Sequence, residues 1–408
     1  MTAPVRVVAV DVTATVPAIG SAGGRYAGAR IFAFAGPCPI GETRVDLPAA
    51  GLSSSQVAEL IARAGLAADV PPPRCAGPAA GPLISVVVAT DLGRPQALER
   101  CLAALEHQDH PRREVILVVN RAGGDGSSRL ALPPGVRVAV EPRPGASAAR
   151  NRGLAVATGE VVAFTDDDAV PGPSWLSSIA ARFADEPDAG AVTGLVLPGE
   201  LETPAQVWFE ESGNAFAQRY RRASFAGGPF TVGDRLAGAA AQQPIYAMGP
   251  FGTGCNMAFR REVLTRLGGF DPALGPGTPA RAGEDLLLLL RLLAEGGRLA
   301  YEPSAVVWHS HRAGAEELRR QVAGYGRGFT AMLTAAVLQD PRHLRGMAQM
   351  VARMVAHRRA GTAPAGNSGA PAWLARSRRW GEVLGPGAYV AARLRLLRWR
   401  RQAPGVSG

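Results

Sequence analysis

Three consecutive carboxylates, Asp166, Asp167 and Asp168, follow the apolar run 161–165. The run is short, with β-branched and aromatic residues, so it reads as a buried parallel strand. Carboxylates this close repel one another, and a fold seldom gathers them without a cation. The spaced pair Asp166 and Asp168 can present two hard oxygens to Mg²⁺ or Mn²⁺, with a substrate phosphate sharing the ion. The other reading of the triplet is a solvated acidic turn that caps the next helix. Two more strand ends carry polar residues: the run 84–89 ends in Thr90-Asp91, and the run 114–119 ends in Asn120. These positions lie far apart in sequence. All fall at the C-terminal ends of predicted strands, where open α/β sheets bind ligands. That coincidence points to a nucleotide site.

The elements that must position these ends alternate. After the strand 84–89, Arg94 and Pro95 start a helix with Leu98, Leu102 and Leu105 at helical spacing. A strand at 114–119, a loop at 123–128, a strand at 136–140, a helix at 148–157 and the strand 161–165 follow. Next come a helix at 175–185 and a strand at 191–197. Strand-helix alternation of this spacing predicts an α/β fold with a doubly wound, mostly parallel sheet. Residues 207–222 read as an aromatic-rich helix and 225–248 as a glycine-rich mobile loop. Gly283-Glu284-Asp285 opens a leucine-rich helix, and a last strand, 301–308, runs into His309-Ser310-His311-Arg312. Ahead of all this, residues 1–69 read as a small accessory α+β unit. It has strands at 5–16, 30–35 and 44–47, then a helix capped by Ser53-Ser54-Ser55. The proline-rich stretch 70–82 reads as a stiff linker.

The chain has 408 residues, 47% hydrophobic and 19% charged, which describes a globular protein with room for two to three domains. Its net charge of +10 comes entirely from arginine, since there is no lysine. Excess positive charge favours an anionic partner, although a solvated surface would serve as well. No nucleic-acid-binding module is recognisable, which sets nucleic acid aside. Cys38, Cys75, Cys101 and Cys255 form no metal pattern and read as reduced thiols of a cytosolic protein. Neither a signal peptide nor a membrane-spanning run is apparent.

Four blocks, in order, resemble the family-2 glycosyltransferases: SVVVAT, ARNRGLAVATGEVVAFTDDD, GTGCNMAFRR with LGGFD, and GEDL. The resemblance covers about residues 83–312. It implies a GT-A fold, with a small N-terminal α+β domain (1–69), the linker (70–82), a catalytic domain (83–312) and a basic helical extension (313–408). It further implies a metal-dependent, inverting transfer of a sugar from a nucleotide-diphosphate donor to a hydroxyl of a glycan, lipid-linked or small-molecule acceptor. A role in cell-envelope glycan synthesis would follow. By the same resemblance Thr90 and Asp91 line the nucleotide pocket, and Arg150 and Asn151 sit near the ribose and diphosphate. Asp166 serves ribose or metal, Asp167 stays on the donor side, and Asp168 ligates Mn²⁺ or Mg²⁺ with His309. His311 beside Arg312 is the alternative for the histidine, or else faces the diphosphate. Asp285 is the general base; at a helix N-terminus the dipole is expected to lower its pKa. Relatives usually carry an aspartate where Asn120 stands, which leaves the nucleotide base open.

In the C-terminal part, 316–338 reads as a helix loosened by Gly324, Gly326 and Gly328. Leu344, Met347, Met350, Val351, Met354 and Val355 form an apolar helical face with arginines nearby. That face suits the catalytic domain, a second subunit in a homodimer, or an anionic membrane holding lipid-linked acceptors. A flexible gap is expected at 360–370. The arginines of 389–401 spread round the helical wheel, so this stretch reads as basic rather than amphipathic. The expected setting is cytoplasmic, at most peripheral to the inner membrane face. Two rival functions are a catalytically inactive binding or scaffold protein on the same fold, and a nucleotidyltransferase.

Overall fold

The computed structural model describes residues 3–66, 81–121, 132–212, 216, 219–228, 231–234, 243–247, 251–359 and 369–402. The expected loop at 123–128, most of the linker and most of the gap at 360–370 lie outside them.

The chain begins with β1 (Val5–Asp11), β2 (Gly28–Ala35) and β3 (Cys38–Asp46), a three-stranded sheet in sequence order. Helix α1 (Ser54–Arg63) follows, opened by a capping box in which Ser53 and Gln56 satisfy each other's backbone N–H. Ile31, Val57 and Ile61 build its core. The opposite side of β2 is also apolar. Phe32 packs with Leu195, Leu197 and Val306, and its ring meets Trp308 edge-on at 5.7 Å. The small sheet is therefore seated on the main one, and the Val5 N–H donates to the Leu201 carbonyl at 2.9 Å.

The main sheet uses β4 (Ile84–Thr90), β5 (Arg113–Val119), β6 (Val136–Val140), β7 (Val161–Asp166), β8 (Ala169–Pro171), β9 (Ala189–Pro198), β10 (Ala223–Gly227), β11 (Thr231–Asp234), β12 (Gln243–Pro244), β13 (Met257–Arg260) and β14 (Arg298–His309). Its order is β12-β11-β10-β14-β9-β13-β7-β4-β5-β6, with β8 on β14. Pairing is parallel across β6-β5-β4-β7 and between β9 and β14; β13 and the β10–β12 edge are antiparallel. Alternate residues of β4 divide between two cores, as strand geometry demands. Val86 and Val88 meet α2 (Pro95–Glu106) and α4 (Trp175–Asp185) on one face. Val87 faces the other layer, with α3 (Ala146–Val156), α6 (Arg261–Arg266) and the leucines of α7 (Glu284–Ala294). Helix α5 (Pro204–Glu211) packs outside, and α8 (Ala315–Gln339), α9 (His343–Arg359) and α10 (Ala372–Gln402) complete the chain.

Several expectations need correction. The helix expected over 207–222 is α5, which ends at Glu211. The glycine-rich stretch 225–248 is not a plain loop: it carries β10 to β12, because the edge of β14 offers backbone partners to β10, which in turn pairs β11, and β11 pairs β12. Helix α8 is continuous, and its glycines tighten rather than loosen it. A Cβ at Gly326 would lie 2.1 Å from the Arg378 carbonyl, and one at Gly381 of α10 would lie 2.0 Å from the Ala323 carbonyl. Bare backbone lets the two helices touch. Cys38 is disulfide-bonded, whereas Cys101 and Cys255 are buried free thiols.

Met347 and Met350 of α9 pack on the core, while Leu344 and Val351 are exposed; the side chains of Met354 and Val355 lie outside the described residues. Helix α10 is apolar on two sides. Tyr389 and Ala392 face inward, and Trp380, Val383, Leu384, Val390, Leu394 and Leu397 are exposed. Among the described residues no helix is long and apolar enough to cross a membrane.

Candidate active site

Strand β7 delivers the three aspartates to the C-terminal edge of the parallel half, as its apolar run predicts. They do not share one environment. Asp166 is half-buried and takes a hydrogen bond from Arg150 Nη2 at 2.8 Å. Asp167 is buried; Thr90 Oγ1 donates to it at 2.7 Å and Arg94 pairs with it at 2.9 Å. Burial pushes the Asp167 carboxyl up to about 6, with Arg94 opposing and Asp168 reinforcing the shift. Asp168 is also buried. It is paired with Arg94, lies 3.5 Å from His309 Nε2 and 3.7 Å from Arg312. Burial works against its charge, but the cationic groups around it hold its pKa below the usual value.

Arg150 is the link to the second acidic group. Its guanidinium is buried, with Nη2 on Asp166 and Nη1 on Glu284 at 2.7 Å. Gly254 makes room for it: a Cβ there would sit 2.7 Å from Arg150 Nη2. The Gly254 N–H donates to Asp285 Oδ2 at 2.7 Å, and the Leu286 N–H to Asp285 Oδ1 at 2.8 Å. Asn256 clamps this GTGCN turn by donating to the carbonyls of Leu195 and Ala305 at 2.9 and 2.8 Å. Burial raises the Asp285 pKa although Arg150 and the two N–H groups oppose it. The dipole-lowered value expected from sequence is thus overridden by desolvation. Glu284 is pushed up to about 7 by burial and by Asp285 beside it.

The remaining sequence candidates are placed as scaffolding or apart. Asp91 is exposed and accepts from the Gly93 N–H at 2.8 Å. Asn120 donates to the carbonyls of Glu141 and Arg143 at 2.9 and 2.6 Å and accepts from the Gly145 N–H at 2.8 Å. A carboxylate could only accept, so the amide is what this loop needs. Asn151 bonds the backbone of Phe270 in both directions, at 2.8 and 2.9 Å. Cys255 is buried with its thiol pKa raised, consistent with packing. Sequence reasoning assigned no role to Arg94, Glu284 or Gly254. The only signals were proximity to a motif and, for Glu284, a second acid at a helix start.

With respect to a divalent ion, Asp168 and His309 form a carboxylate–imidazole pair of the kind that suits Mn²⁺. Among the described residues there is no group of three or more His, Cys, Asp or Glu set to hold one. In this structure Asp168 is paired with Arg94 instead.

The acids, the arginine bridge and the carboxylates at the start of α7 thus meet at the edge where open α/β sheets bind ligands. A family model described as glycosyltransferase like family 2 matches residues 81–328, and the chain belongs to that family. It is 32% identical over 182 residues to the pre-mycofactocin glycosyltransferase of Mycobacterium tuberculosis, covering 45% of this chain and 33% of that one. It is 27% identical over 169 residues to the glucosyl-dolichyl phosphate glucuronosyltransferase of Haloferax volcanii, covering 40% of this chain and 47% of that one. The chain thus spans less than half the length of either relative. Among solved structures it resembles a mannosyltransferase from Pyrobaculum calidifontis in complex with GDP-Man and Mn²⁺, with a TM-score of 0.43 and 20% identity, over 80% of this chain and 91% of that one.

Proposed function

We propose that this chain transfers a sugar from a nucleotide-diphosphate donor to a hydroxyl acceptor, with inversion at the anomeric carbon. The observation that carries the reading is the Arg150 bridge, which brings Asp166 at the end of β7 and Glu284, the neighbour of Asp285, onto one guanidinium. Asp285 takes the acceptor proton as the hydroxyl oxygen bonds to the anomeric carbon, and the bond to the donor's diphosphate breaks on the opposite face. A raised pKa makes Asp285 a better base. Arg312, beside Asp168, supplies positive charge where the diphosphate gains negative charge. Asp168 and His309 would hold Mn²⁺ or Mg²⁺, which would neutralise that same diphosphate. Residues 83–312 are the proposed catalytic unit, with 1–69 as accessory and 313–408 as extension.

Melting temperatures of the full chain with UDP, GDP and dTDP, and with their sugar conjugates, test this with and without Mn²⁺. A ligand that binds only the folded state raises the melting temperature. One nucleotide is expected to give a shift that needs the metal and that disappears in Asp168→Ala. No shift from any of them, with the wild type folded, favours the inactive scaffold instead.

For the acceptor side, the exposed face of α10 supports contact with an anionic membrane. Its apolar residues from Trp380 to Leu397 are bracketed by arginines, and the helix carries eight arginines against one acid, Glu382. Apolar residues flanked by arginine on a helix surface are the pattern of interfacial binding. The chain is expected to sediment with phosphatidylglycerol vesicles and not with neutral phosphatidylcholine. The triple change Trp380→Glu, Leu384→Glu, Leu394→Glu should abolish this. No sedimentation, or binding unaffected by the triple change, overturns the membrane assignment. A dimer seen by light scattering and lost in the triple variant assigns the face to a second copy.

A further inference from the structure

Between α6 and α7, residues 267–283 form a strap without helix or strand. It meets both helices that carry the site. On the α3 side, Asn151 bonds the Phe270 backbone in both directions. Ser147 Oγ donates to the Leu274 carbonyl at 2.8 Å, and the Ala146 N–H donates to the Pro276 carbonyl at 2.9 Å. The Phe270 ring lies 5.6 Å from the Arg150 guanidinium and meets Phe164 of β7 edge-on at 5.1 Å. On the α7 side, a Cβ at Gly275 would sit 3.0 Å from the Glu284 carboxyl carbon. The strap ends at Gly283, directly before Glu284 and Asp285.

Asp271 fixes the strap from behind. Its side chain is only 2% exposed. Oδ1 accepts from the Ala273 N–H, inside the strap, at 2.9 Å. Oδ2 accepts from two helices beyond residue 312: from Gln339 Nε2 of α8 at 3.1 Å and from the Tyr389 hydroxyl of α10 at 2.9 Å. Burial and the Asp271 charge push the Tyr389 hydroxyl up to about 12, so it stays a donor. Gln339 is itself set by Arg291 of α7, which donates through Nε to Gln339 Oε1 at 3.0 Å and through Nη1 to the Gly269 carbonyl at 3.1 Å. Apolar packing has no preferred direction, whereas hydrogen bonds onto one carboxylate fix distance and angle together.

We propose that α8 and α10 set the geometry of the catalytic groups: Gln339 and Tyr389 hold Asp271, and Asp271 fixes the strap that aligns Arg150, Asn151 and the start of α7. Gln339, Tyr389 and Asp271 are positioning residues, and the helices beyond residue 312 are part of the active unit. A catalytic constellation is only as exact as the groups that support it, and a displacement of about 1 Å can cost about a hundred-fold in rate. The catalytic sense of this clamp rests on the sugar transfer proposed above, but its first test needs no substrate.

Amide hydrogen exchange of the full chain, resolved by peptide, reads the clamp directly. In Tyr389→Phe, peptides covering the strap and the first turns of α3 and α7 should exchange about ten-fold faster, while α10 and the parallel strands exchange as in the wild type. Asp271→Leu should loosen the same peptides further, and Asp271→Asn, which keeps one oxygen for its donors, should retain part of the order. Unchanged strap exchange in Tyr389→Phe, or faster exchange confined to α10, overturns the clamp; should Asp271→Leu fail to fold, Tyr389→Phe still decides. Where the wild-type melting temperature responds to a nucleotide, single-turnover reaction of its sugar conjugate should be about ten- to a hundred-fold slower in Tyr389→Phe, at a temperature where circular dichroism shows both proteins folded. An equal rate there, despite faster strap exchange, overturns the positioning role. Faster strap exchange in a protein that responds to no nucleotide supports the clamp and removes the sugar-transfer reading alone.

Discussion

Asp285→Asn is expected to lower sugar transfer on the order of 10³-fold while leaving donor binding nearly intact, because a proton acceptor contributes in the transition state and little before it. The amide keeps an oxygen for the Gly254 N–H, so the turn should hold. Folding should suffer least at high pH. A carboxyl whose folded pKa is raised contributes stability that is present below its unfolded value and lost as the pH rises through the folded one, so once ionised the buried group is a burden that the amide does not carry. The wild-type rate should fall on acidification along a limb above the ordinary carboxylate range. Single-turnover rates and melting curves of both proteins across pH check this. Near-normal turnover in the variant would move the base elsewhere.

Arg150→Leu is expected to have the largest effect on stability. Removing one partner from a buried ion pair leaves uncompensated charge, which costs about 3–5 kcal/mol. Here two carboxylates lose their partner at once, and Glu284 is almost wholly enclosed. Lysine is a poor replacement, since only the planar fork reaches Asp166 and Glu284 together. Denaturant unfolding should show the loss, and adding Glu284→Gln to Arg150→Leu should recover part of it. A destabilisation below about 1 kcal/mol, the range of exposed pairs, would show that the bridge is not the keystone of the site.

Much of this site is legible in the sequence. The alternation of apolar runs with helical leucines placed Thr90, Asn120 and Asp166 to Asp168 on one sheet edge, because period and β-branching are local properties. Asp285 stands at the start of a buried helix for the same reason. What stayed hidden was pairing across distance. Arg150 reads as a residue near phosphate until Glu284, 134 positions away, is seen on its other nitrogen. Arg94 looks like a helix start, and nothing near Glu210 hints at Arg30 or His311. The edge strands β10 to β12 escaped because glycines mask strand character that β14 supplies. Helix α10 escaped because two apolar sides cancel any one-sided signature.

The tight seat of α10 on α8 divides that helix into two histories. On the inner side, Gly326 and Gly381 leave no space, and even one added methyl would act as a wedge between backbones. Nothing larger can be accommodated there without parting the helices. On the outer side Trp380, Val383 and Leu394 touch solvent, so exchange there costs the fold little and alters only what the face can bind. Drift among descendants of this chain can therefore retune what the helix greets on its outer side, while the backbone contact behind it stays closed to change.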